Sequence, residues 1–304
     1  PHTNLEETIA TAKGTEAALT FSTGYATSVG TITSLLGKGD VVILDKLCHA
    51  SLIDGARMSG ATLRVFPHNH LEKLESLLQS STTKADANSR ILVITESIFS
   101  MDGDAAPLEE ISRLTKQYGC LLMVDEAHAL GLIGPTGMGL AEELGIQDQI
   151  DFHMGTLGKA AGVAGGYLAT SRVWAELMIN RARAFIYSTA PPPAQAAAAA
   201  QALRIIQNKQ GQELRTELWK NIDTFRAASD TTRHCPSAII PWMVGDSDKA
   251  LQLSTQLRDK GFLVPAIRYP TVPRHTARLR ITMSSCHDTE SIQALASCLQ
   301  QKCS

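Results

Sequence analysis

Short apolar runs alternate with amphipathic stretches along this chain. Runs at residues 17–21, 41–45, 62–66, 91–96, 120–125 and 152–155 read as strands, with 166–169 as a return strand. Between them, apolar positions at helical spacing predict helices over 24–36, 71–79 and 107–118. Strand and helix in alternation favour an α/β fold. Three runs end in a carboxylate: Asp45, Glu96 and Asp125. Strands buried on both faces have this apolar texture, and functional groups collect at their carboxyl ends. Pro191-Pro192-Pro193 pins the start of an alanine-rich helix reaching about Asn208.

Beyond about residue 210 the texture changes. A charged helix leads to a strand over 238–244, a helix over 248–260, an amphipathic strand over 277–283 and a last helix from Asp288. The pattern predicts a large domain over 1–209 and a small α+β domain over 210–304.

Composition narrows the function classes. The 304 residues are 44% hydrophobic, with 30 acidic and 28 basic side chains and a net charge of −2. That balance gives no footing for nucleic acid or an anionic membrane as partner. Six scattered cysteines without a CxxC pair read as free thiols in a reducing compartment, the cytoplasm, with no zinc site. No apolar run is long enough to span a bilayer, and no signal peptide is evident. The chain opens at Pro1, without an initiator methionine, and reads as a fragment or processed product.

Lys159 lies in Gly155-Thr156-Leu157-Gly158-Lys159-Ala160-Ala161-Gly162, downstream of the strand end Val124-Asp125-Glu126-Ala127-His128. A lysine among small residues, with a carboxylate and an imidazole upstream, suits an aldehyde cofactor. The amine holds it as a Schiff base while Asp125 pairs with a protonated pyridine nitrogen, which points to pyridoxal 5'-phosphate (PLP). Such a lysine is neutral part of the time, through burial or a nearby cation. The glycines and alanines around it, Gly155 and Ala161 included, would let a flat ring approach the backbone. Alone, a lysine in a glycine-rich loop is more often a surface residue; the company of Asp125 and His128 reverses that. His128 is within reach of the ring's phenolic oxygen. Asp125-Glu126-Ala127-His128 also spells a helicase-type DEAH box, but the chain lacks the phosphate loop such an ATPase needs.

Other segments add to the pattern. Ser22-Thr23-Gly24-Tyr25-Ala26-Thr27-Ser28 follows a strand and opens a helix, so its free N–H groups suit a phosphate or form a plain helix cap. His49, just past the strand at 41–45, could stack on a flat ring, although a lone histidine is more often structural. Ser100 follows the strand at 91–96 and could donate to the ring oxygen, and Asp102-Gly103-Asp104 reads as a turn. Arg278 and Arg280 share one strand face; a guanidinium there holds a substrate carboxylate or faces solvent, and spacing does not choose.

Together these segments resemble the α-oxoamine synthases, fold-type I PLP enzymes. The motifs at 22–28, 45–51, 95–104, 124–131, 155–166, 185–195 and 270–282 carry the resemblance over almost the whole chain. It implies a fold-type I PLP-dependent transferase: a large domain with a mostly parallel seven-stranded sheet, plus a smaller α+β domain. It further implies a homodimer with a shared active site that condenses an amino acid with an acyl-CoA, releasing CoA and CO2. By motif, Lys159 resembles the Schiff-base lysine, Asp125 the pyridine-nitrogen partner and His49 the stacking histidine; these three form the catalytic set. His128, Ser100 and Thr156 match residues around the cofactor, and Gly24 and Tyr25 the phosphate turn. Ser188 and Thr189 match a phosphate contact from the partner subunit, and Thr271 and Arg280 match substrate contacts. Ser28 stands where the family usually has Asn, and His70 where it often has Asp. The family's N-terminal arm, with an arginine for acyl-CoA, would precede His2. A fold-type I aminotransferase or lyase, and a non-catalytic partner subunit, are the other readings.

Overall fold

A computed structural model of the chain describes residues 1–83, 86, 88–229 and 236–301. It divides into two compact units, Pro1–Ile98 with Ala105–Gly211, and Phe99–Asp104 with Gln212–Ser304.

The first unit is built on seven strands: β1 (Ala17–Phe21), β2 (Val41–Asp45), β3 (Thr62–Phe66), β4 (Ile91–Glu96), β5 (Leu121–Asp125), β6 (Phe152–Thr156) and β7 (Gly166–Thr170). They lie in the order β1-β7-β6-β5-β4-β2-β3. The pairs among β3, β2, β4, β5 and β6 are parallel, and β7 runs antiparallel to both β6 and β1. Six strands therefore point one way, and their carboxyl ends share one edge. Side chains alternate between two cores, as period-two geometry demands. Along β7, Leu168 enters one cluster with Phe21, Leu44 and Phe152, while Tyr167 and Ala169 enter another with Leu5, Ile9 and Leu203.

Element ends differ from the sequence expectation by a few residues. Cys120 falls outside β5 because its N–H bonds back to Thr115 O at 2.9 Å, closing the preceding helix Leu108–Gln117. The helix expected over 71–79 runs as Leu71–Thr82, extended through the buried Ser81. His70 caps it, Nδ1 accepting the Lys73 N–H at 3.2 Å. The alanine-rich helix is Pro193–Gln207, with Ala196, Ala199, Ala200, Leu203 and Ile206 forming one buried stripe. Small residues on that stripe let it lie close to the helix His2–Lys13, against which it packs.

In the second unit, β8 (Ile239–Gly245), β9 (Ala266–Ile267) and β10 (Ala277–Thr282) form an antiparallel sheet in the order β8-β10-β9. Helices Ser247–Asp259 and Thr289–Gln300 accompany it, each capped by an aspartate, Asp246 and Asp288. The segment Phe99–Asp104 belongs here. Arg278 donates to Asp102 Oδ1 at 2.6 Å, and Ser237 Oγ donates to Gly103 O at 2.8 Å. Among the described residues, no helix is long and apolar enough to cross a membrane.

Candidate active site

The shared edge of the first unit's sheet gathers chemistry because each strand there releases its next residues at the same level. β1 leads to Gly24 and Tyr25, β2 to His49, β4 ends in Glu96, β5 in Asp125 with His128 following, and β6 in Thr156 ahead of Lys159. All of these residues line one cavity of about 220 Å³.

Its floor is acidic and buried. Asp125 and Glu96 are register partners on adjacent strands, 5% and 2% exposed. Asp125 Oδ1 accepts the Ala127 N–H at 2.9 Å. Burial pushes the Asp125 carboxyl above its ordinary range, opposed by the Lys159 charge, the Ala127 N–H and His49. Glu96 is pushed well above its range by burial and then by the Asp125 charge, against the His49 N–H and Lys159.

The rim is open. Lys159, His49 and Tyr25 are exposed. A lysine made neutral by its own burial is therefore not what the chain presents; the buried groups are the carboxylates facing it. Lys159 sits in a tight turn in which its carbonyl accepts the Gly162 N–H at 3.0 Å, with Gly162 at φ 66°. Thr156 Oγ1 braces that turn, accepting the Gly158 N–H at 3.1 Å and donating to Gly165 O at 2.9 Å.

His49 caps the helix Ala50–Met58: its Nδ1 accepts the Ser51 N–H at 3.2 Å and lies 2.8 Å from Ser51 Oγ. Ser51 Oγ lies 3.0 Å from Ser28 Oγ, which donates to Gly24 O at 3.1 Å. Ser28 thus ties the histidine's support to the turn that opens the helix Gly24–Leu35. Thr23 caps that helix through the Ala26 N–H at 3.0 Å, and the first N–H groups of the helix have no partner within it. The turn lies hard against β7: a Cβ on Gly166 would stand 2.4 Å from Thr27 Oγ1 and 2.7 Å from Gly24 Cα.

The small residues around Lys159 have other work than expected. A Cβ on Gly155 would meet Tyr167 Oη at 2.5 Å, so that glycine makes room for a core tyrosine. Ala161 is part of the core, and Ala160 Cβ fills the space a side chain on Gly131 would need. Only Gly158 of this group lines the cavity.

The remaining candidates lie elsewhere. Ser188 and Thr189 are exposed and line a separate cavity of about 300 Å³ with His2, Glu6 and Ser22. Ser100, Thr271 and Arg280 belong to the second unit. There Arg280 Nε donates to Ser100 O at 2.7 Å, so the shared arginine face turns partly toward protein and not wholly to solvent or substrate. Thr271 is exposed in a loop. Sequence reasoning missed Glu96 and Ser51 as site residues. Glu96 carried a signal, as the charged end of a mostly apolar strand; Ser51 carried none.

The donor set fits PLP. The cavity holds an amine for its aldehyde, a carboxylate for its ring nitrogen, an imidazole for its ring oxygen and a helix start for its phosphate. Gly24 at that helix start carries no side chain, and a Cβ there would lie 3.3 Å from Thr156 Cβ.

Residues 1–299 match the aminotransferase class I and II family. An 8-amino-7-oxononanoate synthase of Citrifermentans bemidjiense is 44% identical over 304 residues, which cover 99% of this chain and 77% of the relative. A serine palmitoyltransferase variant from S. paucimobilis, solved with a PLP–myriocin aldimine, superposes with a TM-score of 0.92 at 33% identity, over 99% of this chain and 75% of that one. The 8-amino-7-oxononanoate synthase of Francisella tularensis gives 0.85 at 28% identity, over 99% and 87%.

Proposed function

This chain belongs to the aminotransferase class I and II family, and from that premise we propose that it is a PLP-dependent acyltransferase. It joins L-alanine to pimeloyl-CoA, giving 8-amino-7-oxononanoate, CoA and CO2, a step of biotin synthesis. The observation that carries this reading is the meeting of Lys159, Asp125, His128, His49 and Gly24 around one cavity, from four separate strand ends. The 44% identity to an 8-amino-7-oxononanoate synthase supports the substrate pair.

Bound PLP supplies an aldehyde that takes up an amine and a ring that accepts the electron pair freed at the substrate Cα. Lys159 Nζ would hold it through the aldehyde and, once freed at the rim, would remove the Cα proton and later return one. Asp125, ionised on the cavity floor, would keep a proton on the ring nitrogen. His128 and Ser100 would hydrogen-bond the ring oxygen, and Thr156 steadies the lysine turn. The N–H groups of Gly24 and Tyr25 would take the phosphate, and the His49 ring would stack on the cofactor ring. Thr271 and Arg280 contact substrate, the guanidinium taking its carboxylate. The working form is a cytoplasmic homodimer in which Ser188 and Thr189 reach the partner's phosphate.

The test has two parts. Borohydride reduction of the protein with PLP, followed by peptide mass spectrometry, should mark Lys159 alone, and Lys159→Ala should lose both the mark and about 10²–10⁴ in turnover. CoA release should be fastest with L-alanine and pimeloyl-CoA. The likeness to serine palmitoyltransferase makes serine with a long-chain acyl-CoA the second reading, and faster release with that pair would replace the first. Scattered or absent label would overturn the cofactor reading.

A further inference from the structure

Glu96 is a carboxylate of the cavity that the reaction above leaves without a role. It ends β4 beside Asp125 on β5, buried like its neighbour, and its Oε1 accepts the backbone N–H of His49 at 2.5 Å. That bond holds the chain at the point where the loop after β2 delivers the His49 ring to the rim.

The surrounding charges set its protonation. Facing Glu96 are Asp125 from β5, Asp45 from β2, the Lys159 ammonium from the turn after β6, and His49; the Cys48 thiol lies nearby. Three buried carboxylates against that ammonium are an excess of negative charge, which a site of low polarity relieves by keeping a proton on one of them. The Asp45 oxygens are already engaged, accepting the Leu47 and Asn69 N–H groups, each at 2.8 Å, with His68 Nδ1 at 3.1 Å. Asp125 is the floor carboxylate opposite which a pyridine nitrogen would lie. Glu96 remains, with the deeper burial of the register pair. Its upward shift, driven by burial and the Asp125 charge, runs the same way.

We propose that Glu96 is a positioning residue that works as a neutral carboxylic acid, anchoring the His49 backbone while leaving Asp125 as the ionised carboxylate of the pair. The role in PLP chemistry rests on the function proposed above; the proton on Glu96 does not. A neutral Glu96 neither competes with Asp125 for the ring-nitrogen proton nor attracts Lys159 away from the rim.

Infrared spectroscopy of protein carrying ¹³C in its glutamate carboxyl groups reads the proton directly, with no cofactor or substrate present. The expected result at pH 7 is a protonated-carboxyl band that moves with the label and is absent in Glu96→Gln. Asp125→Asn removes the neighbouring charge, so the pH at which the band vanishes should fall by about one unit or more, a tenfold loss of proton affinity. The proposal is overturned by the lack of a label-sensitive band at pH 7, by a band that survives Glu96→Gln, or by one indifferent to Asp125→Asn. For a Glu96→Gln protein that does not fold, carboxyl-carbon NMR of the wild type decides. One glutamate protonated through pH 7 supports the proposal, and all glutamates ionised there overturn it. Borohydride labelling of Lys159 judges the cofactor separately, so either reading can fail alone.

Discussion

Replacing Lys13 by methionine would take one ammonium out of the interior of the first unit while keeping most of its aliphatic stem. Lys13 ends the helix His2–Lys13 and is 2% exposed. Its Nζ donates to Glu126 Oε2 at 2.6 Å and also to Met138 O. Glu126 is buried; its Oε1 accepts the Ala141 N–H at 3.1 Å, and His153 Nδ1 lies 3.7 Å from Oε2. Burial alone would raise the Glu126 carboxyl, but the Lys13 charge, aided by His153, outweighs it and holds the group at about 2 against an ordinary 4.5. At about 1.4 kcal/mol per unit that gap amounts to about 3 kcal/mol, near the lower end of the about 3–5 kcal/mol that breaking a buried pair costs.

The sign follows from the direction of the shift. A carboxyl depressed in the folded state contributes its stability above about 4.5 and loses it as pH falls toward about 2. Burial works against the Lys13 ammonium, but Glu126 raises it overall, so its share persists through neutral pH and fades only above the ordinary lysine range. Urea denaturation of Lys13→Met should therefore show a loss of about 3 kcal/mol at pH 7. The deficit should shrink as pH falls from 7 toward 4 and below, because burial raises an unpaired Glu126, which then accepts a proton above its ordinary range. Lys13→Met with Glu126→Gln should recover most of the loss, since no buried charge is left unpaired. A loss under about 1 kcal/mol, or a deficit constant from pH 7 to pH 4, would refute the reasoning.

Gly166→Ala puts a methyl 2.4 Å from Thr27 Oγ1 and 2.7 Å from Gly24 Cα, so the turn at Gly24 must shift. PLP affinity, followed by absorbance titration, should fall about tenfold, with stability lower by about 1–3 kcal/mol. Ser51→Ala keeps the backbone N–H on His49 Nδ1 but removes the hydroxyl between His49 and Ser28. A stability loss of about 1 kcal/mol is expected in urea, with PLP still able to bind. Gly103→Ala combines a φ of 69° with a Cβ 2.3 Å from Ile239 O. Calorimetry should show a destabilisation of about 2 kcal/mol or more.

The strand-end carboxylates were readable because a polar residue closing an apolar run is conspicuous in a linear text. Asp125 and Glu96 both showed that signature, yet only the parallel register of β4 and β5 makes them neighbours, and register is a relation between runs. The seven strands and their one reversed member were legible for the same reason, local patterns being strong where both faces are buried. Gly155 misled because its constraint comes from Tyr167 on another strand, not from anything beside it in sequence. Lys13 and Glu126, 113 positions apart, offered no local sign at all. Neither did Phe99–Asp104, which reads as the tail of a strand and turn but belongs to the second unit.

That six-residue excursion bears on how the protein can be taken apart. The second unit is not a contiguous stretch of chain, so a gene cut at residue 212 does not encode it. A fragment of residues 212–304 would carry Arg278, 4% exposed, without the Asp102 carboxylate that neutralises it, and Ser237 without the Gly103 carbonyl to which it donates. Shuffling this unit between relatives, or fusing it to another protein, has to bring the loop from the far half of the sequence along. Its inheritance as a module is thus tied to the larger unit, since the chain crosses between the two three times.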